Sequence, residues 1–489
     1  MSRRGINSVQ RAQAIAHHMM STSANSSEQV RQPPVTFESL LSTRVYKLNR
    51  PKKLNALDTS MLEMLRPKIE EWRDSSLCGV VWGSGEGRAF CAGGDVAGVV
   101  ADASKPETRS KAVEFFKKEF EVDFMLGALN KPYIAIMDGI TMGGGVGLSV
   151  LASFRVATEN TKFAMPETKI GYCPDVGASF FMSRLDGELG TYLALTGETI
   201  SGRAVFEHGI ATHYIPAKRI PMLLENVSAL ENPKFVQINK VIEDNVSEPE
   251  TPGTLTSDLV GAKRIAIDYA FAHNKVEDIY TALAELKSDS DASISEWASK
   301  TIDTLDMRSP TSLKVALKAV RTGKSMSLLE ALEMEYRIAA AYCNGASTDF
   351  KTGVNAVLGP EKKEGRPDWN PATVEEVTDK ILDRFFNPKS EYIQNVPQFT
   401  VPDNMKSAPI RPSRFALPTE IEIKDMVIGQ HQASGDTGLT LEELVSNLEN
   451  LYDHKIGVRE KVMDVAARKC KVVDNADGNQ VWLKWNFQS

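Results

Sequence analysis

The chain has 489 residues, 42% of them apolar and 25% charged, and a formal net charge of -7 at pH 7. That supplies a core for one large domain and a smaller one, and the acidic balance gives no overall electrostatic reason to bind nucleic acid. Five scattered cysteines (Cys78, Cys91, Cys173, Cys343, Cys470) show no paired spacing, and no uninterrupted run of eighteen apolar residues occurs, so a disulfide framework, a zinc site and a membrane-spanning helix are all disfavoured. In chain order, residues 1–30 carry Arg3, Arg4 and Arg11, many Ser and Ala, and no acid before Glu28, which predicts a mitochondrial transit peptide and a matrix location. Pro33 and Pro34 mark a linker, and strands then alternate with helices in an α/β pattern. Strands are expected at Arg44–Leu48, Gly79–Trp82, Tyr133–Met137 and Phe154–Thr158. Asp58 is placed to cap a helix that turns Met61, Leu62, Leu65, Ile69 and Trp72 to one side, and a long helix is expected over Glu107–Leu129.

From Gly187 to Pro388 the pattern is mainly helical, with clear periodicity over Thr311–Val320 and Leu328–Tyr342. Residues 389–418 hold Pro397, Pro402, Pro409, Pro412 and Pro418, too many for regular elements, and read as an extended strap or linker. Residues 419–489 read as a small α+β module. Thr440 and Glu443 open an amphipathic helix, and a basic stretch follows with Lys455, Arg459, Lys461, Arg468, Lys469 and Lys471. A strand pair, Lys471–Val473 and Gln480–Trp485, closes the module. The basic stretch reads either as a solvated face or as a partner surface.

Two glycine clusters stand out, AFCAGGD over Ala89–Asp95 and GITMGGGVGLS over Gly139–Ser149. Glycine ahead of a helix leaves unpaired N–H groups open to an anion, so two such points, one N–H from each, can form an oxyanion hole for a carbonyl that gains negative charge. Tight turns would also use glycines this way. A dinucleotide fingerprint fails, because Gly143, Gly144, Gly145 and Gly147 do not have the G-x-G-x-x-G spacing. The segment AMPETKIGYCPD, Ala164–Asp175, puts Glu167 and Asp175 among Pro, Gly and apolar residues, where a carboxylate can act as base or nucleophile, although Glu after Pro is also a common turn residue. Cys91 reads as an inert buried thiol, and the histidines have no metal-ligand spacing; no metal and no cofactor is expected.

NRPKKLNAL (Asn49–Leu57), AFCAGGD, GITMGGGVGLS, AMPETKIG and PDVG, in this order, resemble the crotonase superfamily and, within it, the 3-hydroxyisobutyryl-CoA hydrolases; the resemblance covers residues 38–388. It implies a spiral of ββα units with a helical C-terminal region, usually oligomeric, acting on an acyl-CoA thioester, here 3-hydroxyisobutyryl-CoA of valine degradation. By the same resemblance the oxyanion hole comes from Gly94 and Gly144, and the CoA pocket from Lys53, Leu54, Ala92 and Gly93. Glu167 and Asp175 are the catalytic pair, and Glu119, Gly144, Glu167 and Asp175 bind the substrate. Hydratases of the superfamily carry a second glutamate where this chain has Gly147, so water addition is disfavoured. Ala178 and Ser179 stand in place of the glycines usual after PDVG, and Tyr172-Cys173 in place of a more apolar pair. Family members ordinarily end near Pro388; in length and organisation the extended chain resembles the hydrolase-like protein of the mitochondrial ribosomal small subunit. Subunit proteins and rRNA are therefore possible partners of residues 389–489, with a purely structural ribosomal protein as the alternative function.

Overall fold

In the computed structural model, strands laid down in succession are dealt alternately to two sheets. The structure describes residues 32–247, 254–359, 365–410, 414–435, 437–474 and 481–487; the expected transit peptide lies outside them. An antiparallel hairpin of β1 (Val35–Leu40) and β2 (Thr43–Leu48) begins the larger sheet, which continues through β3 (Val80–Gly85), β5 (Tyr133–Met137), β7 (Phe154–Ala157) and β10 (His213–Tyr214), each parallel to its neighbour. The smaller sheet takes the short strands between them: β4 (Ala89–Cys91), β6 (Ile140–Met142), β8 (Lys162–Ala164) and β9 (Ile200–Ser201). Each turn of chain therefore gives one strand to each sheet, which is the spiral of ββα units expected. The central strands read as apolar runs without alternation because both of their faces are covered; Tyr133–Met137 is buried at every position.

The helices that frame the site follow the sequence closely. In α1 (Thr59–Asp74) the Asp58 side chain accepts from the Met61 N–H at 3.1 Å, and the five expected apolar residues are all buried. A short helix α2 (Val96–Ala103) precedes the long one expected over Glu107–Leu129, which forms as α3 (Arg109–Gly127), 19 residues with buried acids among its apolar side chains. The glycine-rich α4 (Gly144–Val150) is entirely buried. A short helix α5 (Ala178–Phe181) follows the PDVG turn, and α6 (Gly261–Phe271), α7 (Pro310–Gly323) and α8 (Leu328–Cys343) belong to the helical region. The two-residue strands β9 and β10 within residues expected to be helical had too few positions to show a period.

Val35–Ser489 forms one compact unit. The strap lies against the body: Phe415 stacks on Phe154 with ring centroids 4.7 Å apart, Phe399 stacks on Tyr336, and the Thr400 N–H donates to Glu121 at 2.5 Å. After it come α9 (Glu420–Val427), α10 (Leu441–Leu451), α11 (Val458–Lys469) and a hairpin of β11 (Cys470–Asp474) and β12 (Val481–Trp485); the α10 capping box of Thr440 and Glu443 is formed as expected. The basic stretch is exposed only in part, at Arg459 and Lys471. Lys455, Lys461, Arg468 and Lys469 are buried and turned inward. Lys461 meets Asp186 at 2.5 Å, Lys469 meets Asp268 at 3.1 Å, Arg468 joins Asp464 at 2.9 Å and Glu420 at 3.2 Å, and Lys455 pairs with Glu243. Their partners lie largely in the body far upstream, so spacing along α11 gives no sign of them.

Candidate active site

The loop before α1 and the two glycine clusters meet edge to edge. Asn55, fully buried, donates from its amide to the Ala89 carbonyl at 2.7 Å and to that of Glu86 at 3.0 Å, fastening the loop to β4. The Ala92 N–H then donates to the Leu54 carbonyl at 3.0 Å, and the Leu57 N–H to the Gly93 carbonyl at 2.8 Å. Lys53, largely exposed, reaches Asp95 at 3.1 Å, which Arg50 also meets at 3.3 Å. Lys53, Leu54, Ala92 and Gly93 are thus one continuous rim.

Behind it the glycines are required by close approach. Gly93 has φ +115° and Gly143 φ +48°, and a Cβ on Gly93 would stand 3.9 Å from the Gly144 nitrogen. Gly144 opens α4, where the first-turn N–H groups have no acceptor within the helix. A Cβ on Gly144 would lie 2.2 Å from Glu119 Oε1, and one on Gly94 would lie 3.9 Å from the same oxygen. Glu119 from α3 therefore sits over both proposed oxyanion donors.

Glu167 begins a single 3-10 turn (Glu167–Ile170) after Pro166, and its Oε1 would be 3.0 Å from a Cβ on Gly143. Asp175 accepts from the Tyr172 hydroxyl at 2.9 Å. The next residue, Val176, is held at φ +54°, a strained conformation for a β-branched side chain and one that recurs where a fold fixes a functional group. All four polar positions expected at the reaction centre are brought together: Glu119, Gly144, Glu167 and Asp175 are buried around one point.

Two further acids complete the cluster, and the sequence did not single them out. Asp123 lies one turn beyond Glu119, with neither carboxyl oxygen hydrogen-bonded. Glu335, from α8, accepts from the Gly177 N–H at 2.6 Å, the Ser179 N–H at 2.8 Å and the Ser179 hydroxyl at 2.5 Å. Ser179, at a position where the resemblance leads one to expect glycine, uses its side chain to anchor Glu335. Burial pushes Glu119 and Glu167 well above the usual carboxylate range, and the charge of Glu167 adds to the rise at Glu119. Asp175 is raised by burial and then by Glu119, Glu167 and Glu335, while at Glu335 burial outweighs its three donors and leaves the group at about 7. Cys91 is buried in the glycine cluster, and its thiol is pushed up to about 12 by burial, so it is no nucleophile.

Such carboxyls, facing two glycine-exposed backbone turns, suit proton transfer at a carbonyl that gains negative charge. Residues 43–386 match the enoyl-CoA hydratase/isomerase family. The chain belongs to that family, the crotonases. Solved crotonase relatives include a carnitinyl-CoA dehydratase from Mycobacterium thermoresistibile, 33% identical over 73% of this chain and 97% of that one, with a TM-score of 0.64. The 3-hydroxyisobutyryl-CoA hydrolase of Homo sapiens is 40% identical over 78% of this chain and 94% of its own, and that of Danio rerio 40% identical over 79% and 96%. The small ribosomal subunit protein mS47 of Neurospora crassa is 38% identical over 89% of this chain and 85% of its own. An alignment over 89% of 489 residues cannot end at Pro388, so this crotonase shares part of its extension with the mS47 protein.

Proposed function

We propose that this crotonase hydrolyses the thioester of 3-hydroxyisobutyryl-CoA to 3-hydroxyisobutyrate and CoA. The observation that carries the reading is the carboxylate set: Glu167 and Glu119 stand over the Gly144 turn, while position 147, where a hydratase would need its second acid, is glycine. The carbonyl oxygen is received by the Gly94 and Gly144 N–H groups. Glu167, ionised, takes a proton from a water whose oxygen attacks the carbonyl carbon. As the tetrahedral intermediate collapses the C–S bond breaks, and the thiolate leaves with the proton that Glu167 has held. Asp175, with Glu119, engages the substrate hydroxyl or positions the attacking group, and Lys53, Leu54, Ala92 and Gly93 line the CoA arm. With its base raised by burial, the rate should climb as Glu167 ionises. The test is to offer the purified chain two substrates: thiol release from 3-hydroxyisobutyryl-CoA supports the reading, and hydration of crotonyl-CoA without thiol release would overturn it.

A second role is favoured by the alignment with mS47 running past Pro388. We infer that the chain is also a mitochondrial protein associated with the small ribosomal subunit, through residues 389–489. With Lys455, Lys461, Arg468 and Lys469 neutralised inside the fold, attachment falls to the outer surface of the extension, to subunit protein or to rRNA. Sedimentation of a mitochondrial lysate tests it: the chain should peak with the small subunit, and a chain that stays wholly at the top of the gradient contradicts the association.

A further inference from the structure

Glu119 and Asp123 lie four residues apart on α3, so both leave the helix on one side, a turn apart. Facing them, Gly144 and Gly147 lie three apart on α4, also a turn. The match is rung by rung. A Cβ on Gly144 would stand 2.2 Å from Glu119 Oε1, and a Cβ on Gly147 would stand 2.6 Å from Asp123 Oδ2 and 2.6 Å from Val176 Cβ. The front rung serves the thioester; the hydrolysis described above makes no use of the rear one.

Asp123 is fully buried, and neither of its oxygens receives a hydrogen bond. The groups that bear on it are Glu119 on its own helix, Asp175 in the PDVG turn, Glu335 on α8, Tyr46 on β2, Tyr133 on β5 and Cys91 on β4. None of these is a cation. The Tyr46 and Tyr133 hydroxyls are engaged with each other at 2.6 Å, and Tyr133 also donates to the Leu148 carbonyl. Nor are the described acids arranged to grip a metal ion. An ionised carboxylate needs donors, which this place does not give it, whereas a protonated carboxyl is itself a donor among acceptors.

We propose that Asp123 is a positioning residue, held as the neutral acid, whose single O–H turns to the carboxylate of Glu119 and keeps Glu119 seated over Gly144. Its part in turnover rests on the hydrolase reading; its protonation does not. The arrangement also accounts for Gly147. A side chain there would contest the space of the Asp123 carboxyl, so the recessed acid and a hydratase-type glutamate at 147 exclude each other.

The test compares full-length wild type, Asp123→Asn and Asp123→Val. Asn is neutral and keeps donor hydrogens, so kcat and the acid limb of the kcat/KM profile should stay within about twofold and a few tenths of a pH unit of wild type. Val removes the donor at little cost in packing; kcat should fall roughly tenfold with KM little changed, and the acid limb should move to higher pH as Glu119 loses its partner. If Asp123→Asn shifts the acid limb to lower pH, a negative charge has been removed and the proposal is wrong. It is equally wrong if Asp123→Val behaves as wild type. Infrared difference spectra between wild type and Asp123→Asn read the proton without turnover: a protonated-carboxyl C=O band present only in wild type supports the neutral acid, and no such band overturns it. A wild type that shows the band but releases no thiol supports the neutral acid and sinks the hydrolase reading instead.

Discussion

A methyl group at residue 144 would occupy the place of Glu119 Oε1. Gly144→Ala is therefore expected to displace Glu119 and crowd the oxyanion donor, lowering kcat/KM by about 10²-fold. Circular dichroism and steady-state kinetics on the same preparation check it; a variant with native spectrum and native rate would contradict the assigned geometry. The same acid carries a stability prediction. Its folded-state pKa is raised, so the folded protein binds more protons than the unfolded chain between the ordinary carboxylate range and the raised value. Stability is thus fullest at low pH with respect to this group and falls as pH rises. Glu119→Gln should stabilise the protein by about 1–2 kcal/mol at pH 8 and by less at pH 5, while losing activity; urea melts at the two pH values measure the difference. Gly144, Glu167 and Asp175 were legible because they stand in short motifs whose order and spacing carry the resemblance, whereas Glu119 lies outside those motifs and came only as what the resemblance implies. Asp123 and Glu335 were not legible, since each is a single acid inside a helix. Only the placing of Asp123 four residues after Glu119, between Val122 and the apolar Phe124, Met125 and Leu126, could have signalled it.

At the scale of elements, α11 shows what charge patterning leaves open. Spacing identified the helix and its basic residues but not their direction, because the acids that neutralise them come from other elements. Asp186 accepts from Lys461 and from the Glu420 N–H at 2.8 Å; burial alone would raise its pKa, but these partners outweigh it and hold it below the usual range. Its stabilising share is present above the ordinary carboxylate pKa and is lost as pH falls through the lowered value. Lys461→Met leaves Asp186 buried without its main cation and should cost about 3 kcal/mol at pH 7, less in acid. Denaturant unfolding at both pH values tests it. A loss below about 0.5 kcal/mol would show that the pair behaves as a surface ion pair.

Over the whole molecule, the alternating sheets were legible as an α/β pattern, but β4, β6, β8, β9 and β10 are too short to carry a period, and the resemblance supplied the spiral. The last hundred residues were read as an appended piece. They share one compact unit with the body, with Phe415 on Phe154 and Lys455, Lys461 and Lys469 on body acids. A chain ending at Pro388 would bare those acids and the apolar surface under the strap. It is expected to melt well below the full chain, by more than about 10 °C, or to aggregate; a melting temperature within a few degrees of the full chain would show that the extension adds nothing to the fold. For that reason the proposed ribosomal association is best tested on the intact chain.

The central claim is that Glu167 drives hydrolysis of the thioester. Free thiol released from 3-hydroxyisobutyryl-CoA, followed for wild type and Glu167→Gln under identical conditions, tests it most directly. The account predicts turnover by wild type and a loss of about 10²- to 10⁴-fold in the variant; a wild type without turnover, or a variant that matches it, would contradict the claim.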